Sequence, residues 1–359
     1  MSKSTVRYKD SVQPIRTDGR DIDLQLAMLT GEAAHQEASG GPGKHIEEYS
    51  WTWNQLPEPK PHDPTYYDRP LLNESVWSWA IPTYYYVGGL AGASLALAAA
   101  VQTKRSTERG RLINRCHWIG FIGCCVSGAL LIYDLGRPTR FLNMLRVFRP
   151  TSPMNVGAWI LSGTSGSAFF TLLLRGRGGL LGTLGESAGY VSGVMGMGLA
   201  TYTGVLVSNT AVPVWQASRH LMPILFACSA ITSVGSLFTL LDQNPEESRI
   251  THSFGTAGKI AEIAAGIVME RQASEVPRVG RPFRKGVSGL MWRTAAVLTA
   301  SSLILSVLPN KTRERHLASG VLGTVGSLLM RFAVERLGTA SVRDPRASFH
   351  RQRSDKSPA

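Results

Sequence analysis

The sequence predicts an all-α integral membrane protein, an eight-transmembrane-helix bundle made of two four-helix halves. Apolar runs with few charges recur through the middle of the chain, and each is long enough to cross a hydrocarbon core of roughly 30 Å. A soluble helical protein shows amphipathic stripes with a charged face instead. Both ends of the chain are polar. We therefore divide it into a Pro-rich N-terminal tail (1–75), a transmembrane domain (76–335) and a basic C-terminal tail (336–359).

The eight predicted segments follow one another at short intervals. Their approximate ranges are 76–102, 116–133, 154–174, 187–212, 220–241, 254–269, 287–308 and 316–334. The first opens with tyrosines and tryptophans that are typical of the aromatic belt at a membrane interface. In the same segment Gly88 and Gly92 form a small-residue face for close helix packing. The sixth segment is the shortest and contains charges.

The 359-residue chain has a formal net charge of +13, and most of its Lys and Arg residues flank the apolar runs. That distribution is typical of membrane flanks, and no basic helix interleaved with aromatic residues indicates nucleic-acid binding. The four cysteines form no CxxC pair, so we expect no iron–sulfur cluster in this chain and no other metal site. The histidines of the apolar domain lie at segment ends rather than at matching depths, which argues against haem.

Charge alone does not orient the bundle. With both termini outside, the inner connections hold 11 Lys and Arg residues and the outer connections hold 10. This difference is too small for the positive-inside rule to decide. The most basic short connection, residues 103–115, favours a cytoplasmic position for itself.

The stretch 133–159 is the most distinctive part of the chain. Asp134 ends the second segment, and the connection after it contains four arginines and no acid before the third segment begins at Pro153. Alternation of direction puts this point at the same membrane level as the starts of segments one and five and the end of segment four. Convergent polar and aromatic side chains at one interface suit an amphipathic molecule such as a quinone. The members of this cluster are Trp77 to Tyr86, Asp134, Arg137, Asn155, Trp159, Tyr202, Asn209, Arg219 and His220.

Plainer interpretations remain open for most of these residues. In these interpretations Asp134 caps a helix end or pairs with Arg137, and Asn209 is a helix C-cap. The tyrosines at 84–86 are then belt residues, and His220 is an interfacial histidine.

Among the charges inside predicted segments we single out Lys259, Glu262 and Arg293. Charges at mid-membrane are costly, so they usually pair or serve a pathway. Lys259 and Glu262 are three residues apart on a helix and can pair. They are also our candidates for a proton path.

Four stretches resemble the NrfD/PsrC family, the polytopic quinol-interacting subunits of polysulfide, nitrite and related membrane oxidoreductases. They are YYYVGGLAGA (84–93), DLGRPTRF (134–141), PMNVGAW (153–159) and TGVLVSNTAVPVW (203–215). The resemblance covers about residues 75–335. It implies eight helices in a bacterial inner membrane and a menaquinone or ubiquinone pocket near the outer face. It also implies docking on a ferredoxin-like iron–sulfur subunit, with a molybdopterin catalytic subunit beyond it.

The resemblance assigns roles to particular residues. Asp134 and Tyr202 become the hydrogen-bonding and proton-handling groups, while Arg137, Arg140 and Arg149 face the partner subunit. Polysulfide-type members hold the quinone through an Asn and a His at the start of the first helix. Here the corresponding stretch has no histidine. The quinone-binding candidates are Asn73, Glu74, Tyr84, Tyr85, Asn209 and His220.

The sequence therefore predicts a membrane anchor that exchanges electrons between a quinone and a partner's iron–sulfur cluster, and that is not catalytic alone. One alternative is an ion- or solute-translocating protein that uses Lys259, Glu262 and Arg293. Another is a structural anchor without a working quinone site.

Overall fold

A computed structural model describes residues 20–23, 28–31, 72–73, 75, 77–103, 109–136, 138–309, 312–344 and 347. The chain divides into two compact units, residues 72–351 and the two ends of the chain, residues 1–71 with 352–359. Within the latter unit, strands β1 (Arg20–Asp23) and β2 (Met28–Gly31) pair antiparallel. The rest of the predicted N-terminal tail up to residue 71, including its Pro-rich part, lies outside the described residues.

In its described part, the unit from residue 72 to 351 consists of helices and the connections between them. Its helices are α1 (Ala80–Gln102), α2 (Gly110–Leu135), α3 (Pro138–Arg146), α4 (Pro153–Leu174), α5 (Gly179–Ser208), α6 (Pro213–Ala217), α7 (Leu221–Leu240), α8 (Pro245–Ser274), α9 (Pro277–Arg284), α10 (Gly286–Val307) and α11 (Arg313–Val342).

Seven of these helices are long and apolar enough to cross a membrane: α1, α2, α4, α5, α7, α10 and α11. The prediction of a helical multi-pass membrane protein is therefore confirmed, but the structure does not confirm the count of eight spans. The predicted sixth segment, 254–269, is only the middle of the 30-residue helix α8. That helix starts earlier because Asn244 and Glu247 form a capping box at its polar first turn.

Packing divides the long helices into two groups of four. Helices α1, α2, α4 and α5 pack on one another, and so do α7, α8, α10 and α11. Helix α1 also packs against α7 and α11 and joins the groups. Its contact with α5 is close, because a Cβ added at Gly92 would lie 2.3 Å from the carbonyl oxygen of Gly196. The small-residue face predicted for the first segment thus packs at a helix–helix contact.

The stretch after Asp134 is more structured than predicted. Helix α2 ends because Gly136 adopts a left-handed conformation with φ of 69°. Residues that we predicted as a connection then form α3, whose first residue, Pro138, has a φ suited to a helix start. Helix α4 begins at Pro153, where the side chain of Ser152 accepts a hydrogen bond from the Asn155 backbone N–H.

Helix α11 continues to Val342, beyond the predicted end of the membrane domain at residue 335. Its final turns remain packed. A Cβ added at Gly338 would lie 2.1 Å from the ring of Trp215, and that ring donates its indole N–H to the carbonyl of Val334.

Candidate functional site

Asp134 joins the end of α2 to the start of α1. Its Oδ1 accepts hydrogen bonds from the Ser78 backbone N–H at 3.1 Å and from the Ser78 hydroxyl at 2.6 Å. The predicted meeting of these two segment ends is therefore present. This contact fixes the backbone ahead of α1, but Asp134 is not a helix cap, because the N-cap residue Trp79 has no side-chain cap hydrogen bond and the C-cap of α2 is Gly136. Oδ2 makes no hydrogen bond with the described residues. Arg137, the other predicted partner, lies outside the described residues.

Behind Asp134, the first turns of α1 form a buried aromatic cluster. Tyr84 and Tyr85 are only 2% and 1% exposed, with ring centroids 5.7 Å apart. Trp77 stacks on Trp215 at 5.6 Å and meets Tyr85 edge-on. The belt interpretation is therefore wrong for these two tyrosines, because the helix face that carries them points into the bundle. The Tyr85 hydroxyl is buried without a hydrogen-bond partner in the described part of the chain.

Beside this cluster, Trp79 and Tyr133 have the exposure expected of residues in an aromatic belt. They are 59% and 63% exposed, and their rings lie 5.9 Å apart in a tilted arrangement. Amphipathic rings on the outside of a bundle are typical of the headgroup level of a bilayer. Asp134 follows Tyr133 directly, so the carboxylate lies at that level too.

Tyr202 lies on the buried face of α5 and joins it to the start of α4. Its hydroxyl donates a hydrogen bond to the carbonyl of Pro153. The contact leaves no room at Gly157, where an added Cβ would lie 2.1 Å from the Tyr202 hydroxyl oxygen. The structure thus brings segment four to the start of segment three, as predicted.

For the other predicted quinone ligands the structure describes no contact with this cluster. Asn209 is exposed and donates to the Val205 carbonyl at 3.1 Å, which is the behaviour of a helix C-cap. The His220 ring is exposed, and its Nε2 accepts from the Arg219 Nε–H at 3.1 Å. Asn73 is exposed, and Glu74 lies outside the described residues.

Asn155 fixes the backbone of the basic connection. Its Oδ1 accepts from the Arg149 backbone N–H at 2.7 Å, and its Nδ2 donates to the carbonyls of Val147 and Met144. Asn155 is 7% exposed, so this small polar core is shielded from water. We predicted Asn155 only as a member of the cluster, and its role in shaping the connection becomes visible in the fold.

The surface around that connection combines exposed apolar side chains with arginines. Leu142, Val147 and Phe148 are each more than half exposed. Arg149 is exposed beside them. The structure describes neither Arg137 nor the side chain of Arg140. We name this surface, residues 138–149, the basic platform.

The second helix group buries charges. Lys259 and Glu262 on α8 are 3% and 4% exposed, and Arg331 on α11 is completely buried. The predicted pairing of Lys259 with Glu262 is not among the described ion pairs; Lys259 donates instead to the Ser319 hydroxyl at 3.4 Å. We did not predict a role for Arg331 from the sequence, although an arginine inside an apolar segment by itself indicates a functional residue. We selected Arg293 instead, and the structure places Arg293 on the exposed face of α10.

A helical bundle with seven helices that are long and apolar enough to cross a membrane defines the class of multi-pass membrane proteins. The sequence comparisons narrow this class. Residues 65–270 match the family model NrfD_2, described as polysulfide reductase, and this covers more than half of the chain. The chain therefore belongs to the NrfD-type polysulfide reductase family, as the resemblance indicated.

One curated relative is the C subunit of polysulfide reductase from Wolinella succinogenes. It is 27% identical over 191 residues, which cover 45% of this chain and 56% of that protein. The chain thus spans little more than half the length of the relative that it matches.

Proposed function

We propose that this protein is the membrane anchor subunit of a multi-subunit oxidoreductase and exchanges electrons between a membrane quinone and a partner iron–sulfur subunit. Family membership supports the anchor role. In the same proposal α8 is an eighth span, the membrane is a bacterial inner membrane, and a molybdopterin catalytic subunit lies beyond the iron–sulfur subunit.

The corner around Asp134 is the proposed quinone site, with menaquinone or ubiquinone as the ligand. A quinone headgroup needs hydrogen-bond donors, an apolar wall and a group that handles protons. The Tyr85 hydroxyl is a buried donor without a partner in the described part of the chain, the rings of Trp77 and Tyr84 provide the wall, and Asp134 Oδ2 is open. These residues fit a quinone. A bound quinone supplies the two-electron, two-proton redox chemistry.

The observation that carries this proposal is the position of Asp134. Its carboxylate is held by one oxygen on Ser78 while the other is left for a ligand, directly beside the belt residue Tyr133. In this position it takes up and releases a proton at the edge of the bilayer. Tyr202 orients the start of α4 through its bond to Pro153, and its further role in proton handling belongs to the same proposal.

The basic platform is the proposed docking surface for the iron–sulfur subunit. Arginines pair well with carboxylates on a partner, and the exposed apolar side chains of Leu142 and Phe148 provide area for a hydrophobic contact. The platform and Asp134 lie on either side of Gly136, so docking here brings the partner to the same edge of the bundle.

Substitution of Asp134 by Asn tests the proposed site. The amide oxygen keeps the hydrogen bonds from Ser78, but the side chain no longer titrates. We expect quinol-dependent turnover of the purified complex to fall by about a hundredfold, the scale of general acid–base contributions, while subunit composition stays the same.

Ser78→Ala is the matched control. It removes the hydroxyl that holds Asp134 but leaves the carboxylate. A purely structural anchor predicts the reverse pattern, with Asp134→Asn neutral and Ser78→Ala harmful to stability. That result would contradict the quinone site and leave the anchor role standing.

A further inference from the structure

The second helix group contains charged groups that the proposed quinone chemistry does not use. Lys259, Glu262 and Arg331 are all at most 4% exposed. Lys259 and Glu262 lie three residues apart on α8, and Arg331 of α11 is near enough to Glu262 to stabilise its charged form. Burial of ionised groups among apolar helices is costly, so such residues usually have a function.

Several polar atoms of this group have unused hydrogen-bonding capacity. Glu262 Oε2 makes no close hydrogen bond in the described part of the chain, and the hydroxyls of Ser229 and Thr232 on α7 are its nearest polar neighbours. Arg331 donates one hydrogen bond, from Nη2 to the Phe226 carbonyl at 2.7 Å, and its Nε and Nη1 have no partner among the same residues. Atoms of this kind inside a protein are sites for water molecules or for a mobile proton.

Two cavities reach this group from opposite ends of α8. One, of about 10 Å³, has room for roughly one water molecule and is lined by His252, Thr256, Lys259, His316 and Ser319, among others. The other, of about 90 Å³, holds several. It is lined by Glu262, Glu270, Trp292 and Thr299 together with apolar side chains.

These titratable residues lie along one face of α8. Positions 252, 259, 262 and 270 are separated by seven, three and eight residues, which are close to whole numbers of helical turns. At 1.5 Å per residue the face from His252 to Glu270 is about 27 Å long. That length is close to the thickness of a hydrocarbon core, roughly 30 Å.

We propose that this face of α8 is a proton path across the membrane, separate from the quinone corner and resting on the proposed redox function. A proton enters through the cavity at His252 and passes by way of Lys259 to Glu262 Oε2. It leaves through the cavity at Glu270, and the reverse direction uses the same groups. Arg331 compensates the charge of the Glu262 carboxylate whenever the proton is absent.

Arg331 also connects the path to the quinone corner. Its guanidinium carbon lies 4.0 Å from the centroid of the Phe226 ring, which is 5.8 Å from the ring of Tyr85. Two side-chain contacts therefore join Glu262's counter-ion to a predicted quinone ligand. A change of charge at the quinone corner can therefore affect Arg331 through these two contacts.

The experiment uses the complex as purified from native membranes, reconstituted into liposomes that enclose a pH-sensitive dye. Proton movement is driven either by quinol oxidation with a soluble electron acceptor or by a valinomycin-induced potassium potential. We compare the wild type with Glu262→Gln, Glu270→Gln and Glu262→Asp. Exposed Glu275, just after α8, gives the matched control Glu275→Gln.

We expect Glu262→Gln to abolish proton movement under the potassium potential, while quinol turnover measured with an uncoupler stays at the wild-type level. Under quinol oxidation this variant should show only the protons that the quinol itself releases at the quinone corner. Glu262→Asp and Glu275→Gln retain proton movement. Glu270→Gln keeps an acceptor for the Trp292 indole and should reduce proton movement. This variant tests the path if Glu262→Gln fails to assemble.

A wild type that moves no protons under the potassium potential would overturn the path, as would unchanged proton movement in both Gln variants or movement only in the presence of sodium. The proposed redox function is tested independently. If the wild type shows no quinol turnover, that function fails, and the potential-driven measurement still decides on the path.

Discussion

At the scale of single residues, side chains of the same type differ in burial although their sequence surroundings are alike. Arg293 and Arg331 both lie inside apolar segments of the sequence, yet the first is exposed and the second is fully buried over the Phe226 ring. Sequence shows that each arginine is costly in a membrane but not which face of its helix meets a neighbour. The same limit explains why Tyr84 and Tyr85 could be interpreted as residues of an aromatic belt, although the fold buries them.

Asp134 is the opposite case. Its place at the end of an apolar run and the alternation of helix direction were enough to predict that it meets the start of the first helix. The partner, Ser78, was not predictable, because serine at a segment edge has no distinguishing pattern.

Gly157 leads to a residue-scale prediction. A methyl group there overlaps the Tyr202 ring, so Gly157→Ala pushes that ring from the Pro153 carbonyl. We expect a loss of about 1–3 kcal/mol of stability, typical of overpacking, seen as a lower melting temperature in detergent.

Gly166 on the same helix is the control, because an added Cβ there would meet no described atom within 4 Å beyond its own stretch of helix. Gly166→Ala should leave the melting temperature unchanged or raise it slightly through better helix propensity. Equal melting temperatures for both variants would show that the Tyr202 contact has little weight.

At the scale of elements, the apolar helices were predicted to within a few residues where apolar sequence defines them, as in α7 and α10. Errors occurred where caps or short polar helices set the boundary. Helix α5 begins at Gly179, earlier than the predicted 187, and α3 forms where only a connection was expected. Such boundaries depend on local hydrogen bonds like those of Asn155, which leave little trace in hydropathy.

The connection held by Asn155 gives an element-scale prediction. Asn155→Ala removes three hydrogen bonds from the backbone of residues 144–149, each worth about 1 kcal/mol. We expect the basic platform to lose its shape, with faster proteolysis there and less iron–sulfur subunit in the purified complex.

Asn209→Ala is the matched control, since Asn209 is exposed and caps α5 with a single side-chain hydrogen bond. It should leave both measurements at wild-type values. Full retention of the partner by Asn155→Ala would remove the platform as a docking surface.

At the scale of the whole molecule, the two four-helix groups carry different chemistry. The group of α1, α2, α4 and α5 presents the interfacial corner, and the group with α8 buries the charges. Sequence predicted two halves and a polar cluster drawn from segments one to five. It could not show the cavities of the second half, because these arise only when four helices pack together.

The ends of α8 give a prediction about the whole topology. If α8 is a span, residue 242 before it and residue 275 after it lie on opposite membrane sides. Single cysteines placed there by Asp242→Cys and Glu275→Cys should react with a membrane-impermeant maleimide from opposite faces of sealed vesicles.

The parental protein is the background for this labelling, because four native cysteines are present. Labelling of both new cysteines from one face would make α8 a helix that does not cross, and the bundle would then have seven spans.

Helix α8 also has a consequence for how the chain enters the membrane. A central charge costs about 2.5–3.5 kcal/mol on insertion scales, and α8 contains two. Its backbone meets α7 directly, since a Cβ added at Gly235 would lie 2.2 Å from the Gly255 Cα. If α8 crosses the membrane, it therefore depends on α7 to leave the translocon during synthesis, and the two enter the bilayer together as a hairpin. A ribosome stalled between them would hold a chain whose next helix cannot partition by itself.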